Sequence, residues 1–521
     1  MSLCAIYVVI ILSHFCIKVN RYYLPLTHKV YSILMEIEKL FSLIDYPITS
    51  EEHALIQKAY DFAKSRHETQ KRNSGEPYFI HVFAVAQNCA KLGMDVETII
   101  GGLLHDTLED TDATEEEISE QFGDTILFLV KGVTKLGKLK YRGQERHVES
   151  MRKFFVAMSE DLRVLIIKLA DRLHNVSTLE HVRPDKRMRI AVETIAVHAA
   201  LAGRLGMGKL KGTLEDYAFP YAYPKEYEET KALFDKRVPE SQKTIQEVHS
   251  TVAKTLEEFT IKDFTIDSRI KHLYSLYRKL TKYQMDIDRI YDIVALRVQV
   301  KTVADCYQVL GLVHMLWKPI PGRIKDYIAL PKPNGYQSLH TTVVTEHGII
   351  EIQIRTYAMN QEAEMGVASH FLYKENKFDK GALPSNKSLG WLDELRELQG
   401  VVSTPSRFLE QLNHDLFKNR IFVFTPKGDV IDLPEDASPI DFSYAIHSAI
   451  GESTSAARIN GKMAQLGAKL KNGDIVDIIT SKGSKPSTKW LDYAKTTMAR
   501  RKIKAYIAEH GGLLQKFLVK E

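Results

Sequence analysis

The feature that most limits how this chain can fold is a change of hydrophobic period along it. From about residue 50 to 215 the apolar side chains recur at helical spacing, as in Val96-Glu97-Thr98-Ile99-Ile100-Gly101-Gly102-Leu103-Leu104, with Asp95 as N-cap and Glu97 in the first turn. Between about 240 and 375 the period drops to two: IYDIVALRVQV reads as a strand, and TTVVTEHGIIEIQIRT as two strands around a turn at His347-Gly348. No unit repeats every 20–50 residues, which excludes solenoids and propellers. The pattern predicts a multidomain chain, an all-α domain followed by an α+β domain. At 521 residues there is room for a third. RIFVFTPKGDVIDLP, two strands joined by Pro426-Lys427-Gly428-Asp429, then a helix and a further strand pair, predicts a small β-rich module over 418–482.

The expected boundaries are 1–34, an apolar extension; 35–215, the helical domain; 216–375, the α+β domain; 376–417, a linker and helix; 418–482, the β-rich module; and 483–521, a helical basic tail with Arg500, Arg501, Lys502 and Lys504. Leu3 to Ile17 is almost wholly apolar but shorter than the roughly 20 residues that a membrane span needs. It also lacks the preceding positive charge and small-residue cleavage site of a secretory signal. The expectation is an extension outside the fold, with Met35, which opens MEIEKLFSLIDYP, as the candidate natural start.

With 44% apolar and 26% charged residues the chain is neither disordered, collagenous nor a polytopic membrane protein. Lysine plus arginine, 71, exceeds aspartate plus glutamate, 66, by only 5, so there is no global basic field. No DNA or membrane partner is expected, and any phosphate-binding charge must be local. Cys4, Cys16, Cys89 and Cys306 are scattered without CxxC pairing, which fits a reducing, cytoplasmic setting without disulfides or structural zinc.

Two groups of residues carry chemistry. The first centres on HDTLED, residues 105–110, at the end of the apolar helix; continued as helix, it places His105 over Glu109 and Asp106 over Asp110. Imidazole with carboxylate suits manganese, iron or zinc, and such a cation makes hydroxide available near neutral pH. Further ligands must come from elsewhere. The candidates are His81 in SGEPYFIHV and Asp171 in KLADRLHN, a helix in which Asp171 and Asn175 fall four apart while Leu165, Ile166, Leu169 and Leu173 bury the other side.

The second group lies in the α+β domain. Ile350, Ile352 and Ile354 share one strand face, and Glu351, Gln353 and Arg355 the other, which is either a lined site or a plain solvated face. GRIKDYIALPKPNGYQSLHTT adds Arg323, Lys325, Lys332, Asn334, Tyr336 and His340, cations for phosphates and a ring for a base. A helix beginning near Arg269, SRIKHLYSLYRKLTK, puts Lys271, Ser275, Arg278 and Lys282 on one side. Asp292, at a strand's start, is placed to hold magnesium between triphosphate oxygens. Cations, a metal bridge and a base are what phosphoryl transfer requires.

His81, His105-Asp106 and Asp171 stand in the order of the HD superfamily of metal phosphohydrolases. RNSGEPYFIH, LLHDTLEDT, KLADRLHNVSTL and LAGRLGMGKLKGTLED together resemble the hydrolase domain of the RelA/SpoT family, the enzymes that make and destroy the alarmone (p)ppGpp. The resemblance implies that His81, His105, Asp106 and Asp171 hold manganese, that Glu109 and Asp110 handle the attacking water, and that Arg72, Asn175 and Thr178 contact the nucleotide. The downstream strings are similar to the family's synthetase domain, which resembles a nucleotidyltransferase and moves pyrophosphate from ATP to the 3′-hydroxyl of GDP or GTP. By that likeness Arg269, Lys271, Lys279 and Lys325 grip ATP phosphates, Asp292 binds magnesium, Tyr336 stacks on guanine and Glu351 takes the 3′-hydroxyl proton; Ser275, Lys332, Asn334, Gln337 and His340 complete the substrate-binding set. Arg323-Ile324-Lys325-Asp326 matches the basic RxKD version of bifunctional members.

IFVFTPKGDVIDLP and DFSYAIHSAIG resemble the family's TGS domain, a small β-grasp-like module that in relatives reads tRNA on the ribosome, which makes His447 a candidate RNA contact. The chain departs from the family pattern at Val82, where proline is usual, at Ser268 and Ile270, where glycine and proline are, and at Phe371, where tryptophan is commoner. It is expected to stop at Glu521 before the later regulatory domains, the ACT domain among them. The implied function is a bifunctional (p)ppGpp hydrolase and synthetase; the alternatives are a hydrolase with a decayed synthetase, or a silent ribosome-associated regulator.

Overall fold

The computed structural model describes residues 37–134, 158, 160–332, 334–369 and 420–510. The expected extension over 1–34, Met35, Phe371, the linker and helix over 376–417 and the end of the tail lie outside the described residues.

The first unit is helical. Helices α1 (Ser50–Arg66), α2 (Phe79–Lys91) and α3 (Val96–Leu104) are followed by the short α4 (Thr107–Asp110), then α5 (Glu115–Phe122), α6 (Asp124–Thr134) and α7 (Leu162–Ser177). Local chemistry starts these helices, at Asp95 as the sequence predicts. Thr49 and Thr114 form capping boxes with Glu52 and Glu117, and the Asp95 side chain accepts from the Thr98 amide. Helix α3 has no polar face because it lies at the centre, and its glycine pair lets neighbours touch it. A Cβ on Gly101 would meet Ile167 of α7 at 2.9 Å, and one on Gly102 the Ala86 backbone of α2 at 3.2 Å. One large core, from Ile37 to Ala222, surrounds it.

The expectation of one helix running through HDTLED is not met. Helix α3 ends at Leu104, and Asp106, at φ −99° and ψ −4°, starts α4. Side chains have taken the carbonyls that a continuing helix needs: the Thr107 hydroxyl donates to Leu104 O at 2.6 Å and His105 Nδ1 to Gly102 O at 2.9 Å. The bend turns His105 inward.

After α8 (Pro184–Glu193), a single π turn (Thr194–His198) and α9 (Ala199–Arg204), helix α10 (Gly208–Ala222) leads into the 35-residue α11 (Pro224–Glu258). Tyr223 alone separates the two helices, capping the end of one and the start of the other. The boundary expected at 215/216 falls inside α10.

The second unit is a six-stranded mixed sheet. Strands β1 (Phe264–Ile270), β2 (Val294–Val300), β3 (Lys318–Pro319), β4 (Lys325–Asp326), β5 (Leu339–Thr345) and β6 (Gly348–Thr356) run in the order β1-β2-β6-β5-β3, with β4 also on β5; β2 and β6 are parallel. Helices α12 (Leu273–Lys282) and α13 (Val303–Leu316) share its core with α11, against Leu296, Val298, Ile350, Ile352 and Ile354. Helix α14 (Tyr357–Met365) follows β6.

Two sequence readings need correction here. Arg269 lies on β1, and the helix starts only at Leu273, because Arg269 pairs with Ala295 in the ladder. The β5–β6 turn is Glu346-His347, with Thr345 paired to Gly348, whose φ of 130° suits a glycine after the turn.

The third unit pairs β7 (Arg420–Phe424) with β8 (Val430–Pro434), continues through α15 (Pro439–Ile446) and α16 (Ser448–Glu452), and adds β9 (Thr454–Ile459), β10 (Lys462–Ala464) and β11 (Val476–Thr480). The expected closing strand pair is therefore three strands, in the order β10-β9-β11. Helices α17 (Trp490–Tyr493) and α18 (Thr497–His510) are tied to α15 by Asp441, fully buried, whose carboxylate accepts from the backbone amides of Ser438, Lys495 and Thr496.

Two candidate active sites

Helices α2, α3, α4 and α7 bring their polar residues to one place in the helical core. His81 comes from the first turn of α2, His105 and Asp106 from the bend after α3, and Asp171 from mid-α7; His81, His105 and Asp171 are all less than 5% exposed. His81 Nε2 lies 3.4 Å from Asp106 Oδ2 and 3.3 Å from Asp171 Oδ1; His105 Nε2 lies 3.0 and 3.9 Å from the same two oxygens. His81, His105 and Asp106 can offer ligand atoms to one ion, with Asp171 Oδ1 beside them. Asp110, exposed on α4, shares the Tyr78 hydroxyl with Asp106, at 3.2 and 2.8 Å. Glu109 is half-buried one residue before.

The donor set fits a cation. His105 Nδ1 faces the Gly102 carbonyl, which can only accept, so that nitrogen holds a proton and Nε2 is the nitrogen turned toward a cation. Nε2 is buried with no aligned hydrogen bond, although two carboxylate oxygens stand within 4 Å. Burial works against a charge on His81, yet the two aspartates raise its pKa to about 9; a proton is held where a metal ion would otherwise supply the charge. Burial likewise opposes ionisation of Asp106, but the neighbouring imidazoles hold it well below its ordinary value; Asp171 is held down by Lys168, whose Nζ donates to Oδ2 at 2.7 Å.

Arg72, Asn175 and Thr178 line the edge of this cluster. Arg72 donates to Asn175 Oδ1 at 3.0 Å, Asn175 donates to Asp171 Oδ1 at 2.5 Å, and Thr178 ends α7 with its hydroxyl on His174 O at 3.2 Å.

The second cluster covers one face of the sheet, and the strand register shows why. Lys325 pairs with His340, His340 with Gln353, Gln353 with Arg297, and Arg297 with Asp267, so these five side chains form one row across β4, β5, β6, β2 and β1. Arg269, Glu351 and Arg355 flank the row on the same face. It is not a solvated face: Gln353 is 4% and Arg355 2% exposed. Glu351 Oε1 lies 3.2 Å from His340 Nδ1 and accepts from Gln353 at 2.8 Å, while Gln353 accepts from Arg269 at 3.2 Å. Burial alone would raise the Glu351 carboxyl, but His340 holds it below its ordinary value.

Tyr336 bonds His340 Nε2 through its hydroxyl at 2.9 Å, and Lys332 Nζ lies over the Tyr327 and Tyr336 rings at 4.5 and 4.8 Å. Burial, with Lys325 and Arg269 nearby, lowers Lys332 to about 8. At the other end of the face Lys271 and Lys279 both grip Asp292 Oδ2, at 2.7 and 2.5 Å, while Asp292 Oδ1 is buried without a hydrogen bond, which leaves one oxygen suited to a cation. Ser275 is half-buried one turn before Lys279; Lys325 and Asn334 are exposed. Gln337 is turned to the Ile328 carbonyl at 3.3 Å.

Family models match the chain in three places: HD domain over residues 59–208, the region found in RelA/SpoT proteins over 268–378, and TGS domain over 421–480. A guanosine-3′,5′-bis(diphosphate) 3′-pyrophosphohydrolase of Aquifex aeolicus is 47% identical over 483 residues, 91% of this chain and 67% of its own length. The chain belongs to the RelA/SpoT family. Among other relatives, a GTP pyrophosphokinase of Myxococcus xanthus is 44% identical over 87% of this chain and 60% of its own length, and the bifunctional (p)ppGpp synthase/hydrolase SpoT of Escherichia coli 42% over 90% and 66%. The chain thus spans about two thirds or less of the RelA/SpoT relatives' length.

Several residues in these RelA/SpoT clusters were not singled out from the sequence. Tyr78 lies one turn before His81, and Lys168 and His174 lie three residues either side of Asp171, so helical spacing from the expected ligands would have found all three. Arg297 and Asp267 required the strand register; the available signal was a charge inside the apolar run VALRVQV. In the TGS module His447 is exposed, and its Nδ1 accepts from the Ala449 amide at 3.2 Å, capping α16. Among the described residues no helix is long and apolar enough to cross a membrane.

Proposed function

We propose that this chain is a bifunctional alarmone enzyme: it hydrolyses the 3′-pyrophosphate of (p)ppGpp to GDP or GTP in the helical unit, and transfers pyrophosphate from ATP to the 3′-hydroxyl of GDP or GTP on the sheet. The observation that carries the reading is that one chain holds both a buried cluster of two imidazoles and two carboxylates and a separate cationic sheet face with a base in it.

In hydrolysis His81, His105, Asp106 and Asp171 would hold a divalent cation, manganese by the family likeness, which supplies positive charge to acidify water and to polarise the phosphate. Glu109 and Asp110, at the open side, take the proton of the attacking water. The water oxygen bonds to the phosphorus attached at the 3′ oxygen, that P–O bond breaks, and the ribose oxygen takes up a proton as pyrophosphate leaves. Arg72 and Asn175 orient the nucleotide, for which they exchange the bond they make to one another.

For synthesis Asp292 would hold magnesium, which neutralises triphosphate charge. Arg269, Lys271, Lys279, Lys325 and Lys332 bind ATP phosphates, while Ser275, Asn334 and Gln337 contact substrate from the surrounding elements. Tyr336 stacks on the acceptor guanine. Glu351, ionised beside His340, accepts the 3′-hydroxyl proton while the 3′ oxygen attacks the β-phosphorus and AMP leaves. Lys271 and Lys279 bind Asp292 until triphosphate arrives to share them. The TGS module would contact tRNA on the ribosome through His447, and the substrates place the enzyme in the cytoplasm.

The test is to assay both directions on wild type, Asp106→Ala and Glu351→Ala, with (p)ppGpp and manganese for breakdown and ATP, GDP and magnesium for formation. The expected result is selective loss, the first change abolishing breakdown and the second formation. Wild type that forms no ppGpp from ATP and GDP would leave a hydrolase with a decayed synthetase, and one that does neither a silent regulator.

A further inference from the structure

We propose that His174 is a positioning residue for the hydrolase site: it accepts the Nδ1 proton of His81 and so fixes the tautomer in which His81 presents Nε2 to a divalent cation. The inference rests on the metal-dependent hydrolase reading and adds to it a residue that does not touch the ion.

The reasoning follows donors and acceptors. A guanidinium has donors only. Arg72 Nη1 lies 3.0 Å from His174 Nδ1, so that nitrogen is unprotonated and offers its one lone pair, which Arg72 shares with His81. His81 Nδ1 lies 2.9 Å from the same atom, and two lone pairs do not settle at that distance, so His81 Nδ1 carries the proton. With Nδ1 keeping its proton against His174, Nε2 is the nitrogen left for a cation, 3.4 and 3.3 Å from the oxygens of Asp106 and Asp171. His105 reaches the same state by another route, its Nδ1 proton resting on the Gly102 carbonyl. Both imidazoles therefore turn Nε2 to one point, one fixed by backbone and the other by a side chain whose own state is set by Arg72. Metal-binding histidines are commonly oriented by an acceptor at the second nitrogen, usually a carboxylate, carbonyl or water. Here a histidine takes that place, one turn after Asp171 on the same helix, with the Ser177 and Thr178 hydroxyls bonded to its carbonyl at 2.8 and 3.2 Å.

Titration calorimetry of the full, metal-free chain with manganese alone tests this. His174→Leu removes the acceptor and is expected to weaken manganese binding by about 10–100-fold. His174→Asn keeps an acceptor oxygen near the Nδ1 position and is expected to stay within a few-fold of wild type. Metal-free melting curves check that all three proteins fold, with His174→Leu expected to melt lower because it leaves the buried His81 Nδ1–H without an acceptor. Leucine binding as tightly as wild type, or asparagine as weakly as leucine, overturns the inference. Should His174→Leu not fold, Arg72→Met decides: without the guanidinium, His174 can carry its own Nδ1 proton and deny His81 the acceptor, so several-fold weaker binding is expected and unchanged binding overturns the proposal. Wild type that binds no manganese removes the metal reading itself, whereas wild type that binds while the variants bind equally well removes only the role of His174.

Discussion

The helical cluster and the sheet face have opposite deficits. In the first, two carboxylates and two imidazoles face one another with only Lys168 and Arg72 at the margin, and one imidazole nitrogen lacks an aligned partner. In the second, Arg269, Lys271, Lys279, Lys325, Lys332, Arg297 and Arg355 share four acidic side chains, Asp292, Glu351, Asp267 and Glu364, and burial pushes down Lys332 and Arg355, the latter to about 10. The first is completed by a cation, the second by a polyanion. The two sites therefore differ in the sign of the charge that each carries in excess.

The comparison breaks most visibly if the acids are interchangeable. Asp171→Asn keeps the shape but removes a charge from the cation-deficient cluster, and breakdown is expected to fall by at least about 100-fold, with formation unchanged. Glu351→Gln is expected to do the reverse, with formation down by roughly 10²–10⁴-fold, the usual worth of a general base. Radiolabelled nucleotide assays in both directions read both changes, and a loss shared by the two reactions would contradict the separation.

Next in size is the seam between the units. Gly212 of α10 lies against His272, which a Cβ would meet at 2.2 Å, and His272 and the Tyr274 amide both bond Asp216 of α10, at 2.7 and 3.0 Å. Gly212→Ala should push His272 off Asp216 and cost about 1–3 kcal/mol, as overpacking does. Denaturant unfolding measures the cost, and KM for ATP is expected to rise because Lys271 precedes His272. An unchanged KM would mean that the seam does not position the cationic face.

A smaller effect comes from pH. Lys332 is lowered to about 8 in the free protein, so it is charged below that pH and neutral above it. ATP binding is expected to weaken several-fold as pH rises through this range, by loss of one cation. Lys332→Met should bind weakly throughout and lose the step; the same step persisting in the variant would assign it elsewhere. Smallest of all, Thr302→Ala removes the capping box of α13, which faces neither site. It should cost about 1 kcal/mol in a thermal melt and leave both reactions as they were.

Much of this was legible beforehand, for reasons that particular residues make plain. The burial of Ile350, Ile352 and Ile354 and the N-cap at Asp95 follow from period and propensity, which are local. His81 and Asp171 could be named beside His105 and Asp106 only as candidates until the resemblance gathered the four, since they are separated along the chain and meet through packing. Where local pattern misled, long-range contacts had taken over. Arg269 looked like the start of an amphipathic helix but pairs with Ala295 in a ladder, and the run through HDTLED bends because Thr107 and His105 use the helix's own carbonyls. His174 and Tyr78 were within reach of a one-turn argument, whereas the row from Lys325 to Asp267 needed a register that no short window contains.

Tyr223, the single residue between α10 and α11, makes the junction a lever. With a rise of about 1.5 Å per residue, α11 extends roughly 50 Å from that pivot to the neighbourhood of β1. A tilt of a few degrees at its root, where Tyr227 packs on Phe219 of α10, would sweep the far end through several ångströms. Motion too small to notice at one end would be large at the other, and strain applied where β1 begins would return to the root as torque.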